Sequence, residues 1–301
     1  MNHLISRSSA KFYPSLNFLT NDEGLGKEWF EELFNAINKK DVHIFKAENG
    51  SEVFFRHLKW DSDFFNVPTY KIEYLYTSPQ AKNSAIALDD FFNFLNEKHE
   101  KFYTFAEIPS EDVETIIGLT ATGYTLIETR LTYFHDQIQK FESARRYPTR
   151  QANEGDIPTL KTTAIEAVNI YDRFHADQFF SSDMADNFLA KYVENSVLGY
   201  ADEVMIPADG NANSFLTANY ISSPNCLSNK KIAKMVLSAV APERRGWYVK
   251  LISEMSLKFK EKEIDVAFMT TQSTNRAVLK VWHSFGYRFG RCTHIFSKYK
   301  L

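Results

Sequence analysis

Apolar residues recur at helical spacing in KEWFEELFNAINKK, where Trp29, Phe30, Leu33, Phe34 and Ile37 fall on one side. The period then shortens. EVFFRHLKW and TYKIEYLYT read as strands, and SAIALDDFFNFLNEKH reads as an amphipathic helix. KFYTFAEI is strand-like, SEDVETIIGLTATG is a short helix opened by Ser110, and YTLIETRLTYFH is a closing strand or hairpin. Within WDSDFF, the aromatics Trp60, Phe64 and Phe65 are expected to fill the core between the two halves of the chain. DQIQKFESARRYPT, around Pro148, is polar and has no period. It marks the domain boundary, with a first domain over 1–145 and a second over 146–301.

The second half opens on TRQANEGDIPTLKTTAIEAV, a strand followed by a helix with Asp156 and Pro158 at its N-terminus. SSDMADNFLAKYVENSV is a helix capped by Ser182 or Asp183, and EVMIPADGNANSFLTANYI holds two strands around a Gly/Asn turn. Strand KIAKMVLSAV, helix WYVKLISEMSLKFKEK, strand DVAFMTT, helix TNRAVLKVWHSF, Gly286 and a last strand complete the chain. The charged LKFKEKE within the first of these helices is a solvated face.

The two halves superpose at an offset of 163 residues. Lys71 falls on Lys234, Pro79 on Pro242, Leu88 on Leu251, Phe105 on Phe268, Gly123 on Gly286 and Tyr124 on Tyr287. Identities are few, yet the order of elements holds without a gap, as a duplicated unit requires. Where the second half reads APERRGWYVKL, the first reads SPQAKNSAIAL, with neither the glycine nor the arginines. An anionic cofactor is therefore expected only in the second half.

Composition narrows the class. A 301-residue chain with 44% hydrophobic and 24% charged residues is that of a globular protein, and its 26 Phe, 15 Tyr and 4 Trp favour filled cores. The net charge of −3 gives no whole-chain case for nucleic acid. Cys226 and Cys292 have no metal-ligand spacing and suit a reducing compartment. The N-terminus lacks an apolar signal core, and no apolar run reaches bilayer length. A cytoplasmic protein without metal, nucleic-acid or membrane partners is expected.

Two segments carry chemistry. In VAPERRGWYVKL a strand gives way to a helix. Unpaired N–H groups at a helix start carry partial positive charge and suit a pyrophosphate. Gly246 would let the backbone approach a ligand, and Arg244 and Arg245 would add charge-assisted donors. The plain alternative is a turn with solvated arginines. In TTQSTNRAVLKVWHSFGY, Asn275 stands at a helix start, where it is either an N-cap or a ligand contact. Together they place a ligand between the carboxyl ends of neighbouring parallel strands.

TRQANEGDIPTL, VAPERRGWYVKL and TTQSTNRAVLKVWHSFGY have the order and spacing of a GNAT-superfamily N-acetyltransferase domain, a resemblance covering about residues 148–301. LKWDSDFFNVPTYKI and YDRFHADQFFSSDMADNFLAKYVENSV further resemble the bacterial dTDP-fucosamine acetyltransferase and its relatives. The resemblance implies an α/β GNAT fold with a mixed twisted sheet, preceded by a degenerate GNAT-like N-terminal half. It also implies acetyl-CoA as co-substrate and an amine on a nucleotide-linked amino-deoxysugar as acceptor. Arg245, Gly246, Trp247 and Tyr248 would line the pyrophosphate loop, backbone N–H groups near Ala239 and Val240 would face the oxyanion, and Asn275 would order the cofactor arm.

The chain departs from the pattern twice. The loop is two residues short, which puts Tyr248 where the family has a small residue. Trp282 stands where many members have a tyrosine that protonates the leaving thiolate, and an indole N–H is far too weak an acid for that. Its neighbour His283 points elsewhere on the helix. The catalytic proton donor and base thus stay unassigned. In YDRFHAD, Arg173, His175 and Asp177 alternate and would share one side of an extended segment. There Arg173 would clamp a substrate phosphate, and His175 or Asp177 would hold or deprotonate the sugar ammonium; a solvated loop of mixed charge is the alternative. A GNAT enzyme for a peptide, polyamine or other small amine also fits, as does a non-catalytic domain binding CoA or a protein. A homodimer is compatible with each.

Overall fold

The computed structural model describes residues 10–20, 23–78, 84–167 and 169–301. The first nine residues, where a leader was sought, and the first-half turn at 79–83, including Pro79, lie outside the described residues. Along the chain the elements are α1 (Glu23–Asn38), β1 (His43–Lys46), β2 (Glu52–His57), α2 (Lys59–Phe65), β3 (Thr69–Tyr76), α3 (Ala85–Lys98), β4 (Phe102–Pro109), α4 (Val113–Ala121) and β5 (Thr125–His135). They continue with β6 (Thr149–Gln151), α5 (Ile157–Glu166), α6 (Arg173–Ala176), α7 (Ser182–Asn195), β7 (Glu203–Pro207), β8 (Ser214–Ile221), β9 (Ile232–Val240), α8 (Trp247–Glu261), β10 (Val266–Gln272), α9 (Arg276–Ser284) and β11 (Arg288–Lys300).

Two compact units result. The first comprises residues 1–130, 176–179 and 291–301; the second comprises 131–175 and 180–290. Strand order in the first is β1-β2-β3-β4-β11, with β3 and β4 parallel and the other pairs antiparallel. One face carries α3, whose Ala87, Leu88, Phe91 and Leu95 pack on Val53, Phe55, Ile72, Ala106 and Phe296. The other carries α1, whose Phe30 and Leu33 meet Phe54, Tyr74 and Tyr76. In the second unit the order is β5-β10-β9-β8-β7-β6, with β9 and β10 parallel. There α8 sets Leu251, Ile252, Met255 and Phe259 against Ala218, Ala233, Met235, Ala267 and Met269, while Leu160 of α5 and Val193 of α7 cover Val204, Ile206 and Phe215 on the opposite face.

The 163-residue offset is a structural one. Thr69 is in register with Tyr103 across the first parallel pair, and Ile232 with Val266 across the second; each residue maps onto its counterpart at that offset. Asp112 caps α4 by accepting from Thr115 N, and Asn275 caps α9 by accepting from Val278 N, again at the same offset. Each helix ends at a left-handed glycine, Gly123 (φ 78°) or Gly286 (φ 82°), followed by a buried tyrosine, Tyr124 or Tyr287.

Several local expectations are corrected. The α4 cap is Asp112, whereas Ser110 is hydrogen-bonded to His294 Nε2 at 3.0 Å. Ser181, not Ser182 or Asp183, caps α7 by accepting from Met184 N. LKWDSDFF does not prolong β2 but forms α2, which leaves Trp60 45% exposed and stacked on Phe64, while Phe65 is buried. The polar stretch after β5 is packed: Ile138 and Phe141 are buried, and Glu254 of α8 accepts from Arg146 Nε and Tyr147 N. Hydrophobic spacing over so few residues could not reveal that packing.

The first unit carries a charged network on its sheet. Arg56 and Lys71 both bond Glu73, Thr293 Oγ1 donates to Glu107 at 2.8 Å, and Arg130 lies 3.6 Å from Glu107 and bonds Glu128. Burial by itself would raise the Glu107 pKa; Arg130 first, then Lys71, the Thr293 hydrogen bond and Arg291 outweigh it and hold it at about 2. A carboxylate depressed in the folded state stabilises above its unfolded pKa, and that stability disappears as the pH falls through its folded pKa. Chemical denaturation across pH should therefore show stability falling between about 4.5 and 2, by on the order of 2–3 kcal/mol from this group. In Glu107→Gln that slope should flatten; an unchanged slope would refute the assignment.

Candidate functional site

β9 and β10 hold a parallel register from Ile232↔Val266 to Met235↔Met269, and there the pairing stops, although β9 runs on to Val240 and β10 to Gln272. The cause lies on the other edge of β9. The β8–β9 register shifts between Leu216 and Ala218, and the Thr217 side chain fills the irregularity, accepting from Leu237 N at 2.9 Å and donating to Leu237 O at 3.2 Å. Such a bulge bends its strand and sharpens its twist, which turns β9 away from β10. No sequence signal marked it.

Beyond the bulge, Ala241 N donates to Asn213 O. Alternation along an antiparallel ladder then turns Ala239 N–H toward β8 and Val240 N–H to the opposite side, where β10 no longer pairs. Of the two residues singled out as oxyanion donors, Val240 has the available N–H.

After Val240 the chain makes a short turn, Pro242–Arg244, and then Arg245 (φ −47°, ψ 134°) and Gly246 (φ 93°, ψ −16°) form the centre of a type II turn into α8. A Cβ at Gly246 would meet nothing within 4 Å. Its backbone dihedrals, rather than lack of space, require the glycine. No side chain caps α8, and its 15 residues point the free N–H groups of Trp247, Tyr248 and Val249 out of its first turn. Arg245 is exposed. Arg244 is held elsewhere, paired with Asp209 and lying 4.9 Å from the Trp247 ring centre, with Lys250 Nζ at 4.6 Å from the same ring.

At the start of α9, Asn275 Oδ1 accepts from Val278 N at 3.4 Å, and Nδ2 donates to Thr271 Oγ1 at 3.2 Å. Both its polar atoms serve the strand–helix junction. Trp282 is 3% exposed, and its Nε1–H donates to the Tyr248 hydroxyl at 2.7 Å, so α9 and the first turn of α8 are joined by one hydrogen bond. His283 is exposed.

YDRFHAD is not extended. Residues 173–176 form the helical turn α6, so Arg173, His175 and Asp177 do not share a side. The His175 ring lies between two carboxylates, Nδ1 at 2.6 Å from Asp172 and Nε2 at 3.1 Å from Asp186. Asp177, 1% exposed and part of the first unit, accepts from the Tyr103 hydroxyl at 2.7 Å and from Phe179 N at 3.0 Å. Arg173 lies over the Phe174 ring at 4.8 Å. The sequence indicated neither Asp172 nor Asp186 as partners of His175. Among the described residues, no group of three or more His, Cys, Asp or Glu side chains is placed to hold a metal ion, and no helix is long and apolar enough to cross a membrane.

A GCN5-related N-acetyltransferase from Sphaerobacter thermophilus matches 96% of this chain and 91% of its own, with a TM-score of 0.60 at 9% identity. The fold is the GNAT fold. A glucosamine N-acetyltransferase region of a fungal multi-domain GH3 β-N-acetylglucosaminidase matches 99% of this chain and 36% of its own (TM-score 0.63, 11% identity). A tandem GNAT protein from the clavulanic acid biosynthesis pathway matches 83% and 79% (TM-score 0.51, 11% identity), and its tandem build corresponds to the two GNAT-like halves here. No family model and no curated protein matches the chain. In the first half, β3 and β4 repeat the parallel register of β9 and β10.

Proposed function

We propose that the chain is an acetyl-CoA-dependent N-acetyltransferase acting in the cytoplasm on a primary amine, most specifically the amine of a nucleotide-linked amino-deoxysugar. The observation that carries the reading is the parting of β9 from β10 beyond Met235 and Met269, directly below the uncapped start of α8. An acyl-pantetheine arm is a thin, amide-bearing chain that needs exposed strand backbone, and a diphosphate needs convergent N–H groups. Both are present in the second unit. Arg245, Gly246, Trp247 and Tyr248 would hold the diphosphate chiefly through backbone N–H groups, and Asn275 would fix the junction along which the arm runs.

Attack by the unprotonated amine on the thioester carbonyl places negative charge on oxygen, and Val240 N–H is the backbone donor for it. The amine first loses a proton to water or a base. The likeness to a glucosamine N-acetyltransferase region supports an amino-sugar acceptor. In this proposal Arg173 contacts the acceptor phosphate, while His175, both of whose ring nitrogens are taken by Asp172 and Asp186, orders that turn and does not itself receive the ammonium proton. Asp177, buried against Tyr103, has no acceptor role.

Radiolabelled acetyl-CoA with dTDP-linked amino sugars, glucosamine and polyamines tests this reading. Transfer to the nucleotide-linked sugars, weakened at least tenfold in Arg173→Ala, is expected. Transfer only to amines without phosphate would displace the sugar nucleotide, and tight binding with no transfer at all would make this a non-catalytic CoA-binding domain.

A further inference from the structure

Expulsion of a thiolate from a tetrahedral centre goes faster when sulfur is protonated as it leaves. Trp282, on the α9 face where a donor is expected, has no acidic proton. It does have a partner: Trp282 Nε1–H donates to the oxygen of Tyr248 at 2.7 Å. That bond occupies a lone pair of the phenol and leaves the phenolic proton uncommitted; among the described residues the Tyr248 hydroxyl donates to no protein acceptor. Tyr248 is the second residue of α8, and Trp282 lies on α9; the two helices start at the carboxyl ends of β9 and β10, where those strands have parted.

We propose that Tyr248, oriented by Trp282, is the proton donor to the departing thiolate, an inference that rests on the acetyl-transfer reading above. In the step, the amine nitrogen bonds to the acetyl carbon, and the carbon–sulfur bond breaks with its electron pair going to sulfur. The Tyr248 O–H proton passes to sulfur, giving free CoA thiol, and the nitrogen's surplus proton goes to water. The resulting phenolate, which keeps the Trp282 N–H bond, is reprotonated from solvent. Burial raises the Tyr248 pKa while the Trp282 hydrogen bond opposes that rise, so the phenol is fully protonated before the step. Trp282 is then a positioning residue: it sets the direction of the phenol and steadies its anion. The tyrosine is supplied by the cofactor-loop helix, at the position where the family has a small residue.

The test uses the full chain and CoA itself, so that no acceptor need be known. The thiol of bound CoA is titrated by its ultraviolet thiolate absorbance in wild type, Tyr248→Phe and Trp282→Phe, beside calorimetry with acetyl-CoA. A donor poised at sulfur favours the thiolate. In Tyr248→Phe the bound thiolate fraction at a given pH should drop about tenfold, a one-unit rise in thiol pKa. Acetyl-CoA affinity should stay within threefold of wild type, and kcat for any amine that is acetylated should fall about 100-fold. Trp282→Phe should show a smaller change in the same direction. An unchanged thiol titration in Tyr248→Phe would overturn the proposal, as would tighter acetyl-CoA binding in Tyr248→Ala, because the ring would then be filling the cofactor's path. If wild type binds neither CoA nor acetyl-CoA, the acetyl-transfer reading itself fails and takes this one with it.

Discussion

Gly246→Asp should abolish acetyl-CoA binding, raising Kd at least 100-fold, which corresponds to about 2.7 kcal/mol. Two effects add. Gly246 sits at φ 93°, in a left-handed conformation that costs an ordinary residue about 1–2 kcal/mol. An aspartate there also puts a carboxylate at the start of α8, where it accepts hydrogen bonds from the free N–H groups proposed to hold the diphosphate and repels that anion. Gly246→Ala isolates the first effect, since a Cβ there meets nothing within 4 Å, and should weaken binding only about tenfold. Arg245→Ala, the loss of one exposed charge, should cost about fivefold or less. Calorimetric titration beside a thermal melt separates binding from stability. Wild-type affinity in Gly246→Asp would move the diphosphate away from α8.

A fragment of residues 1–145 should fail to fold. Its sheet lacks β11, which pairs with β4 at every position from Thr293↔Pro109 to Lys300↔Phe102. It also loses Phe296, 3% exposed in the α3-side core, and Ile295, 1% exposed. Burial of two such side chains is worth about 1.5–3 kcal/mol each, a large part of the about 5–15 kcal/mol that holds a domain together. The bared β4 would present an unpaired, apolar edge, which invites aggregation. Circular dichroism should show no cooperative melt, and adding a peptide of residues 288–301 should restore one. A sharp two-state melt of the bare fragment would contradict this.

Much of the candidate site was legible because its signals are local. Gly246 after two arginines, at the change from strand period to helix period, marks a turn that needs φ > 0. Asn275 three residues ahead of Val278 marks an N-cap, and the structure gives it that role. Local patterning misled in two places. YDRFHAD looked alternating, but Asp172 accepts from Phe174 N and His175 N and draws the segment into a helical turn. Ser182 and Asp183 looked like caps, but Ser181 lies at the angle that reaches Met184 N.

By itself the sequence determined the succession of elements, the two-fold repetition at an offset of 163 residues and the place of the glycine turn ahead of α8. Each depends on neighbours within a turn or a strand, and periodicity records those. Only the tertiary structure decided where the chain's last strand pairs, how Thr217 turns β9 away from β10, and that Tyr248 meets Trp282. These pairings join residues from 20 to 198 positions apart, from Thr217 and Leu237 to Phe102 and Lys300. They are selected by which buried backbone groups and side chains find partners when the layers close, a condition that no stretch of sequence contains.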